Sequence, residues 1–164
     1  MDVLLILRFI LNGVPESAAL IFTTLAIVGY RASFRIIFFN AFIITAIIYL
    51  LRMTLVPHGI HTVFGMVVLA LVVYKIAKVS VGTAIFAVSG VIFILVNVEF
   101  VSCYLAESLF DYKLYFQLDS DAGWLWIIFG LPQVLIMWAV GYCIHKYLRP
   151  LVLKYSGKEV YYGK

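Results

Sequence analysis

The chain has 164 residues, of which 65% are hydrophobic and 12% are charged, and its formal net charge is +4. So few charges exclude an ordinary soluble domain, and basic residues scattered singly along the chain are a poor pattern for nucleic-acid binding. The composition instead predicts an all-α polytopic membrane protein. Its length allows one domain, residues 1–164, with about five transmembrane helices of roughly 20 to 28 residues.

The first predicted span covers residues 3–30 and is interrupted by Gly13-Val14-Pro15. Proline removes a backbone hydrogen bond, so a kink is predicted here. An alternative lays the first dozen residues along the membrane interface, which leaves a short span that starts at Pro15. The other predicted spans are residues 34–51, 58–76, 80–110 and 123–147, and a tail of residues 148–164 follows them.

The basic residues of short loops indicate orientation, because lysine and arginine are retained on the cytoplasmic side. With five spans, one side receives the C-terminal tail and four loop residues, Arg31, Arg35, Lys75 and Lys78. The other side receives Asp2, Arg52 and the acidic loop of residues 111–122. This distribution predicts a multi-pass protein of the bacterial inner membrane, with its N-terminus outside and its C-terminus in the cytoplasm.

Polar residues inside the apolar spans are the candidate site. Arg8, Asn12 and Glu16 are four residues apart, so a helix places them on one face. A charge in hydrocarbon costs on the order of 3 kcal/mol, which predicts that this face looks toward protein or water. Further polar residues lie at the same predicted outer end. We therefore predict an outward-facing ligand-binding pocket of Arg8, Asn12, Glu16, Arg52, His58, His61, Asn97 and Glu99.

A structural role for these groups is the alternative. Glu99 would then pair with Arg8 or Arg52, and Asn12 would bond Glu16, which fixes helix packing without binding a ligand. Asn40 is predicted to hydrogen-bond between helices. Small residues of span four predict close packing against a neighbouring helix; they are Gly82, Ala84, Ala87, Ser89 and Gly90.

Metal and catalytic sites are not predicted. His58 and His61 lie one turn apart, but no third ligand stands at a fixed spacing from them. The chain has no His-Glu-x-x-His pattern of a membrane metalloprotease, and no nucleophile is placed with a base. The sequence therefore predicts a non-enzymatic protein with no cofactor.

Four short segments carry a resemblance to a known family. They are Pro15-Glu16, Tyr49-Leu50-Leu51-Arg52, Pro57-His58-Gly59-Ile60-His61 and Leu131-Pro132-Gln133. Their order resembles the N-terminal membrane region of clostridial-type, peptide-quorum sensor histidine kinases. The resemblance implies a sensor module without the kinase part, because no dimerisation helix, phospho-acceptor histidine or ATP-binding domain accompanies it.

These observations predict a membrane sensor or accessory protein whose polar pocket takes a small ligand, a peptide or a partner helix. Two other functions remain open: a substrate-binding subunit or small carrier of a transport system, and a structural subunit of a larger membrane complex. The expected partners are the lipid bilayer, a cytoplasmic or membrane protein and a second copy of the chain, and no nucleic acid is expected.

Overall fold

A computed structural model describes residues 3–52, 60–110 and 123–148. Within these ranges all residues are helical except those of two connections, 29–33 and 78–80, and no strand occurs. The elements are α1 (Val3–Arg8), an N-terminal π segment (Phe9–Gly13), α2 (Val14–Val28), α3 (Phe34–Arg52), α4 (Ile60–Ala77), α5 (Val81–Phe110), α6 (Gly123–Cys143) and a C-terminal π segment (Ile144–Leu148).

Three segments are long and apolar enough to cross a membrane: Ile6–Val28, Phe34–Leu51 and Val81–Ser102. A shorter apolar helix covers Val63–Ala77 in α4. The predicted all-α class is therefore confirmed for the described residues, and three of their helical segments are candidate membrane spans.

The first segment is one helical path from Val3 to Val28, as the long-span interpretation predicts. The disturbance predicted at Gly13-Val14-Pro15 takes the form of a π-helical turn, in which the N–H of Val14 donates to the carbonyl oxygen of Phe9. Pro15 has no N–H to donate and its ring crowds the preceding turn. The wider π turn accommodates both effects without ending the helix.

Helix α2 is the centre of the bundle, because it packs against α3, α4, α5 and α6. In the segment Ile6–Val28, 44% of the apolar window is buried, against 22% in each of the other two candidate spans. Ala18 and Ala19 are fully buried, and their small side chains let neighbouring helices approach closely. The main core comprises Ala18, Ile21, Leu25, Ile37, Ala41, Ile44, Leu69, Val73, Ala84 and Val88.

Contacts at different positions along the helices show which helices run parallel and which run antiparallel. Asn12 lies against Gly130, and Thr23 lies against Gly141, so α2 and α6 run parallel. Helix α3 returns antiparallel to α2, because Thr45 bonds the carbonyl oxygen of Gly13 near the start of α2. Gly65 lies against Ile48, so α4 is antiparallel to α3, and α5 turns back again after a short connection.

The bundle therefore has two distinct ends. The polar end holds α1, the end of α3 and the start of α6. The basic end holds both described connections and the C-terminal π segment. The described cations of the basic end are Arg31, Arg35, Lys75, Lys78 and Lys146.

Local backbone chemistry closes the connections at the basic end. Gly29 has φ 82° and ends α2, with its N–H bonded to Ala26 and that of Tyr30 bonded to Leu25, as in a Schellman motif. Lys78 ends α4 with φ 52° and donates its N–H to the carbonyl oxygen of Tyr74 at 3.0 Å. Among the described residues, Lys78 is the one non-glycine residue with a positive φ.

Candidate functional site

The stripe of Arg8, Asn12 and Glu16 survives in the structure. Four residues overshoot a full turn of an α-helix, since a turn holds about 3.6 residues, but they undershoot the wider π turn. Arg8 to Asn12 runs through the N-terminal π segment and Asn12 to Glu16 runs mainly through α2, so the two deviations offset each other. All three side chains are half-buried and all three make interactions with other groups.

Asn12 faces α6. A Cβ atom added at Gly130 would overlap the amide nitrogen of Asn12 and approach its Cγ to 3.1 Å, so this position of the Asn12 side chain depends on the glycine. The Oδ1 atom of Asn12 is buried and accepts no hydrogen bond from a described group, although Asn12 itself makes another interaction. The stripe therefore lies at the junction of α1, α2 and α6.

A hydroxyl of α3 holds this junction from the other side. Thr45 Oγ1 lies 3.0 Å from the carbonyl oxygen of Gly13, 2.8 Å from that of Ala41 and 2.9 Å from Ser17 Oγ. A threonine hydroxyl has one proton, so Thr45 donates to one of these three oxygen atoms at a time. Thr45 and Ser17 are 2% and 8% exposed, so these bonds form away from solvent.

The N-terminal π segment packs tightly against α3. A Cβ atom at Gly13 would lie 2.6 Å from Cγ2 of Thr45, so a larger residue does not fit there. Phe9 makes edge contacts with Phe42 and Tyr49, at centroid distances of 5.3 and 5.2 Å. The glycine of the π turn thus allows the hydroxyl of Thr45 to reach the turn's carbonyl.

Asn97 and Glu99 form a separate group on α5. In the part of the chain that the structure describes, α5 packs against α2, α4 and α6 and does not contact α1 or α3. Glu99 is half-buried and makes no ion pair with a described side chain, so the predicted pair with Arg8 is not formed. Asn97 is exposed and donates from Nδ2 to the carbonyl oxygen of Phe93 at 2.7 Å.

Three predicted site residues lie wholly or partly outside the part of the chain that the structure describes. The side chains of Arg52 and His61 and the whole of His58 lie outside the described residues, and so does the pairing of Glu99 with Arg52. Of the predicted eight, Arg8, Asn12 and Glu16 thus lie along one helical path. Within the described ranges, no three His, Cys, Asp or Glu side chains come close enough to hold a metal ion.

Two packing predictions are corrected in part. Asn40 donates from Nδ2 to the carbonyl oxygen of Ile36 in its own helix at 2.8 Å, so its predicted bond between helices is wrong. Ala84 and Ala87 of span four are buried as predicted, but the neighbouring small residues are exposed. Those exposed residues are Gly82, Ser89 and Gly90.

Buried hydroxyls are the residues that the sequence interpretation missed. Ser17, Thr23, Thr24 and Thr45 are all at most 8% exposed. Their signal in the sequence is weak, because serine and threonine are common in membrane helices and often bond their own helix, as Thr24 does to Leu20 at 2.7 Å. Comparison with known proteins found no matching protein family, curated protein or solved structure.

Proposed function

We propose that the chain crosses the inner membrane five times, with the polar end outside and the basic end in the cytoplasm. Support comes from the alternating directions of α2 to α6, which leave the two termini on opposite sides. The basic end holds five described cations and no described carboxylate, and cations in short loops are the strongest indicator of the cytoplasmic side.

On this topology we infer a non-enzymatic sensor or accessory protein whose ligand-binding site is the stripe of Arg8, Asn12 and Glu16. The observation that carries the proposal is a π turn that contains Asn12 and lies between Arg8 and Glu16, in the most buried of the three candidate spans. A π turn inside an α-helix is frequent at functional sites. The family resemblance noted above agrees with a sensor.

The chemistry of the stripe selects a polar ligand. The guanidinium of Arg8 offers hydrogen-bond donors, and the carboxylate of Glu16 offers acceptors. The amide of Asn12 between them offers both. A peptide backbone, or another molecule carrying both signs of charge, matches this set. Ligand binding that changes the π turn to an α turn would rotate α1 against α6, which gives the site a way to signal.

The residues of α2 between the stripe and the basic end do not form the polar path that a carrier needs. From Ile21 to Leu25, α2 is surrounded by buried apolar side chains of α3 and α4, including Ile37 and Val73. Thr23 and Thr24 are buried there, but Thr24 bonds its own helix and Thr23 faces α6. A transport path to the basic end requires polar groups in series, and this core interrupts them.

A photoreactive amino acid at Leu11, next to Asn12 and 42% exposed, tests the ligand site in living cells. The matched control carries it at Phe86, on the outer face of α5 and 82% exposed. We expect a discrete peptide or small-molecule adduct at Leu11 only, and its loss in Glu16→Gln with an unchanged melting temperature. Lipid adducts alone at both positions, or a melting temperature lowered by Glu16→Gln, would favour a bracing role for the stripe.

A structural subunit is the second candidate, because of the outer face of α5. Phe86, Phe93 and Phe100 repeat every seven residues and are 82%, 71% and 66% exposed. Asn97 lies on this face within the apolar segment Val81–Ser102, where lipid offers its amide no further partner. The same photoreactive residue at Asn97 should then capture a specific protein partner, whereas a sensor that works alone gives lipid adducts there.

A further inference from the structure

A groove opens at the basic end between the end of α4 and the start of α5. Its volume is about 460 Å³ and it opens to the surroundings. It lies at the end of the bundle opposite Arg8, Asn12 and Glu16, so it is not part of the stripe. The groove is lined by Tyr74, Lys75, Lys78, Val79 and Ser80.

The groove is electropositive from two sources. Lys75 and Lys78 are exposed, and no carboxylate lies at this end in the ranges that the structure describes. The N-terminus of α5 adds the positive end of a 30-residue helix. The hydroxyl oxygen of Ser80 accepts the N–H of Thr83 at 3.2 Å, while the N–H groups of Val81 and Gly82 have no acceptor within the helix.

The backbone at Lys78 is unfavourable for a lysine. Its φ of 52° ends α4 in the left-handed region, where glycine is the preferred residue. A non-glycine residue there costs on the order of 1 kcal/mol, so the turn alone would be more stable with glycine. The lysine at this position places a second ammonium group in the groove beside Lys75, although its backbone conformation is less stable than that of a glycine would be.

We propose that this groove binds the phosphate of an anionic phospholipid of the cytoplasmic leaflet. The two ammonium groups and the start of α5 complement the phosphate charge, and Tyr74 and Val79 give apolar contact to the glycerol and upper acyl region. Basic pockets between membrane helices on the cytoplasmic side favour such headgroups. Which leaflet supplies the lipid follows from the proposed membrane topology, and the inference rests on that proposal in this respect.

Lipid binding is tested on the purified full-length chain in a zwitterionic detergent, so the test does not depend on orientation in the cell. Short-chain phosphatidylglycerol, phosphatidylcholine and inorganic phosphate are titrated, and bound lipid is counted by native mass spectrometry. Each interfacial lysine near an anionic surface contributes about a fivefold change in binding. We expect phosphatidylglycerol to bind well above the other two, and Lys75→Gln to weaken it about fivefold.

Two further variants separate this site from general attraction and from misfolding. Arg31→Gln with Arg35→Gln removes two charges at the same end outside the groove, and we expect phosphatidylglycerol binding to remain within about twofold of the wild type, since neither residue lines the groove. Lys78→Gly removes the ammonium group and relieves the backbone, so we expect weaker lipid binding together with a higher melting temperature.

Three results would overturn the proposal. Equal losses in Lys75→Gln and in the double arginine variant would mean unspecific attraction to the whole basic end. Equal binding of inorganic phosphate would mean an anion site without a lipid. Unchanged lipid binding in Lys78→Gly would mean that the groove is not the lipid-binding site. None of these outcomes affects the proposed stripe at the polar end, which the photoreactive residue at Leu11 tests separately.

Discussion

Single atoms decide how closely the helices of this bundle approach. At Gly141, an added Cβ would lie 2.5 Å from Thr23 Oγ1 and 2.8 Å from a ring carbon of Phe22, so α2 and α6 meet where a side chain is missing. At Gly90, an added Cβ would meet nothing within 4 Å. The two glycines thus have different roles. Gly141 allows α2 and α6 to pack closely, whereas Gly90 lies on an open face of α5.

This contrast predicts opposite effects of one substitution. Gly141→Ala should destabilise the protein by about 1 to 3 kcal/mol, because overpacking forces α2 and α6 apart. Gly90→Ala should be neutral or stabilising by up to about 1 kcal/mol, since alanine is the better helix former and nothing obstructs it. Thermal unfolding in detergent measures both. Equal effects of the two variants would contradict the packing of α6 on α2.

The hydroxyl of Thr45 is the second atom with a clear consequence. Thr45→Val keeps the shape of the side chain but removes the group that bonds Gly13 and Ser17. We expect a loss of about 0.6 to 2 kcal/mol, the range for hydrogen bonds between membrane helices, because the buried oxygen of Ser17 loses its neighbour. Thr45→Ser retains the hydroxyl and is the control. The two melting temperatures should differ, and identical values would mean that the bond contributes nothing.

At the scale of elements, the first helical path combines rigid and adaptable parts. Helix α2 is held on all sides, and its lower half is clamped by stacked aromatic rings, with Phe22 5.3 Å from Trp138. The N-terminal π segment above it is held by the edge contacts of Phe9 and by Thr45. A π turn has an α-helical alternative that differs by one residue in hydrogen bonding. The N-terminal π segment therefore can change its register between Arg8 and Glu16, and it contains Asn12 of the stripe.

We expect Pro15 to maintain the π turn, which gives a prediction. Pro15→Ala restores a backbone N–H that can donate to the carbonyl of Leu11, so we expect the turn to become α-helical and α1 to rotate relative to α6. Spin labels at Ile6 and Leu135, both exposed, report the change as an altered distance between the two helices. The stability should rise, because an interior proline is unfavourable by about 3 kcal/mol.

The control for this change is a substitution on the exposed face of the same path. Ile10→Ala alters a side chain that is 54% exposed and leaves the hydrogen-bonding pattern intact. The label distance should stay at the wild-type value. A distance unchanged in Pro15→Ala as well would mean that packing against α3, not the proline, maintains the π turn.

At the scale of the whole molecule, charge is segregated between the two ends. The polar half holds the described carboxylates of Glu16 and Glu99 together with Arg8, whereas the basic end holds five described cations and no described carboxylate. This segregation is independent of any particular ligand and supports one orientation in the membrane. Both proposed sites depend on it, the stripe facing outward and the groove facing inward.

Orientation is tested with two cysteines in a background of Cys103→Ser and Cys143→Ser. Ser108→Cys lies near the end of α5 at the polar end, and Ser33→Cys lies in the connection before α3; both serines are exposed. An impermeant thiol reagent added to intact cells should label Ser108→Cys and leave Ser33→Cys unmodified until the membrane is permeabilised. The reverse labelling would invert the topology and place the stripe on the cytoplasmic side.

The sequence by itself determined the all-helical class with long apolar segments, the disturbance at Gly13 to Pro15 and the spacing of Arg8, Asn12 and Glu16. These are local properties, because composition, proline chemistry and residue spacing act within one helix. Only the tertiary structure decided that α2 is central, that Thr45 bonds the π turn and that Glu99 stands apart from Arg8. Spacing along a helix defines which residues share a face, but the neighbour of that face depends on how every helix of the bundle packs against the others.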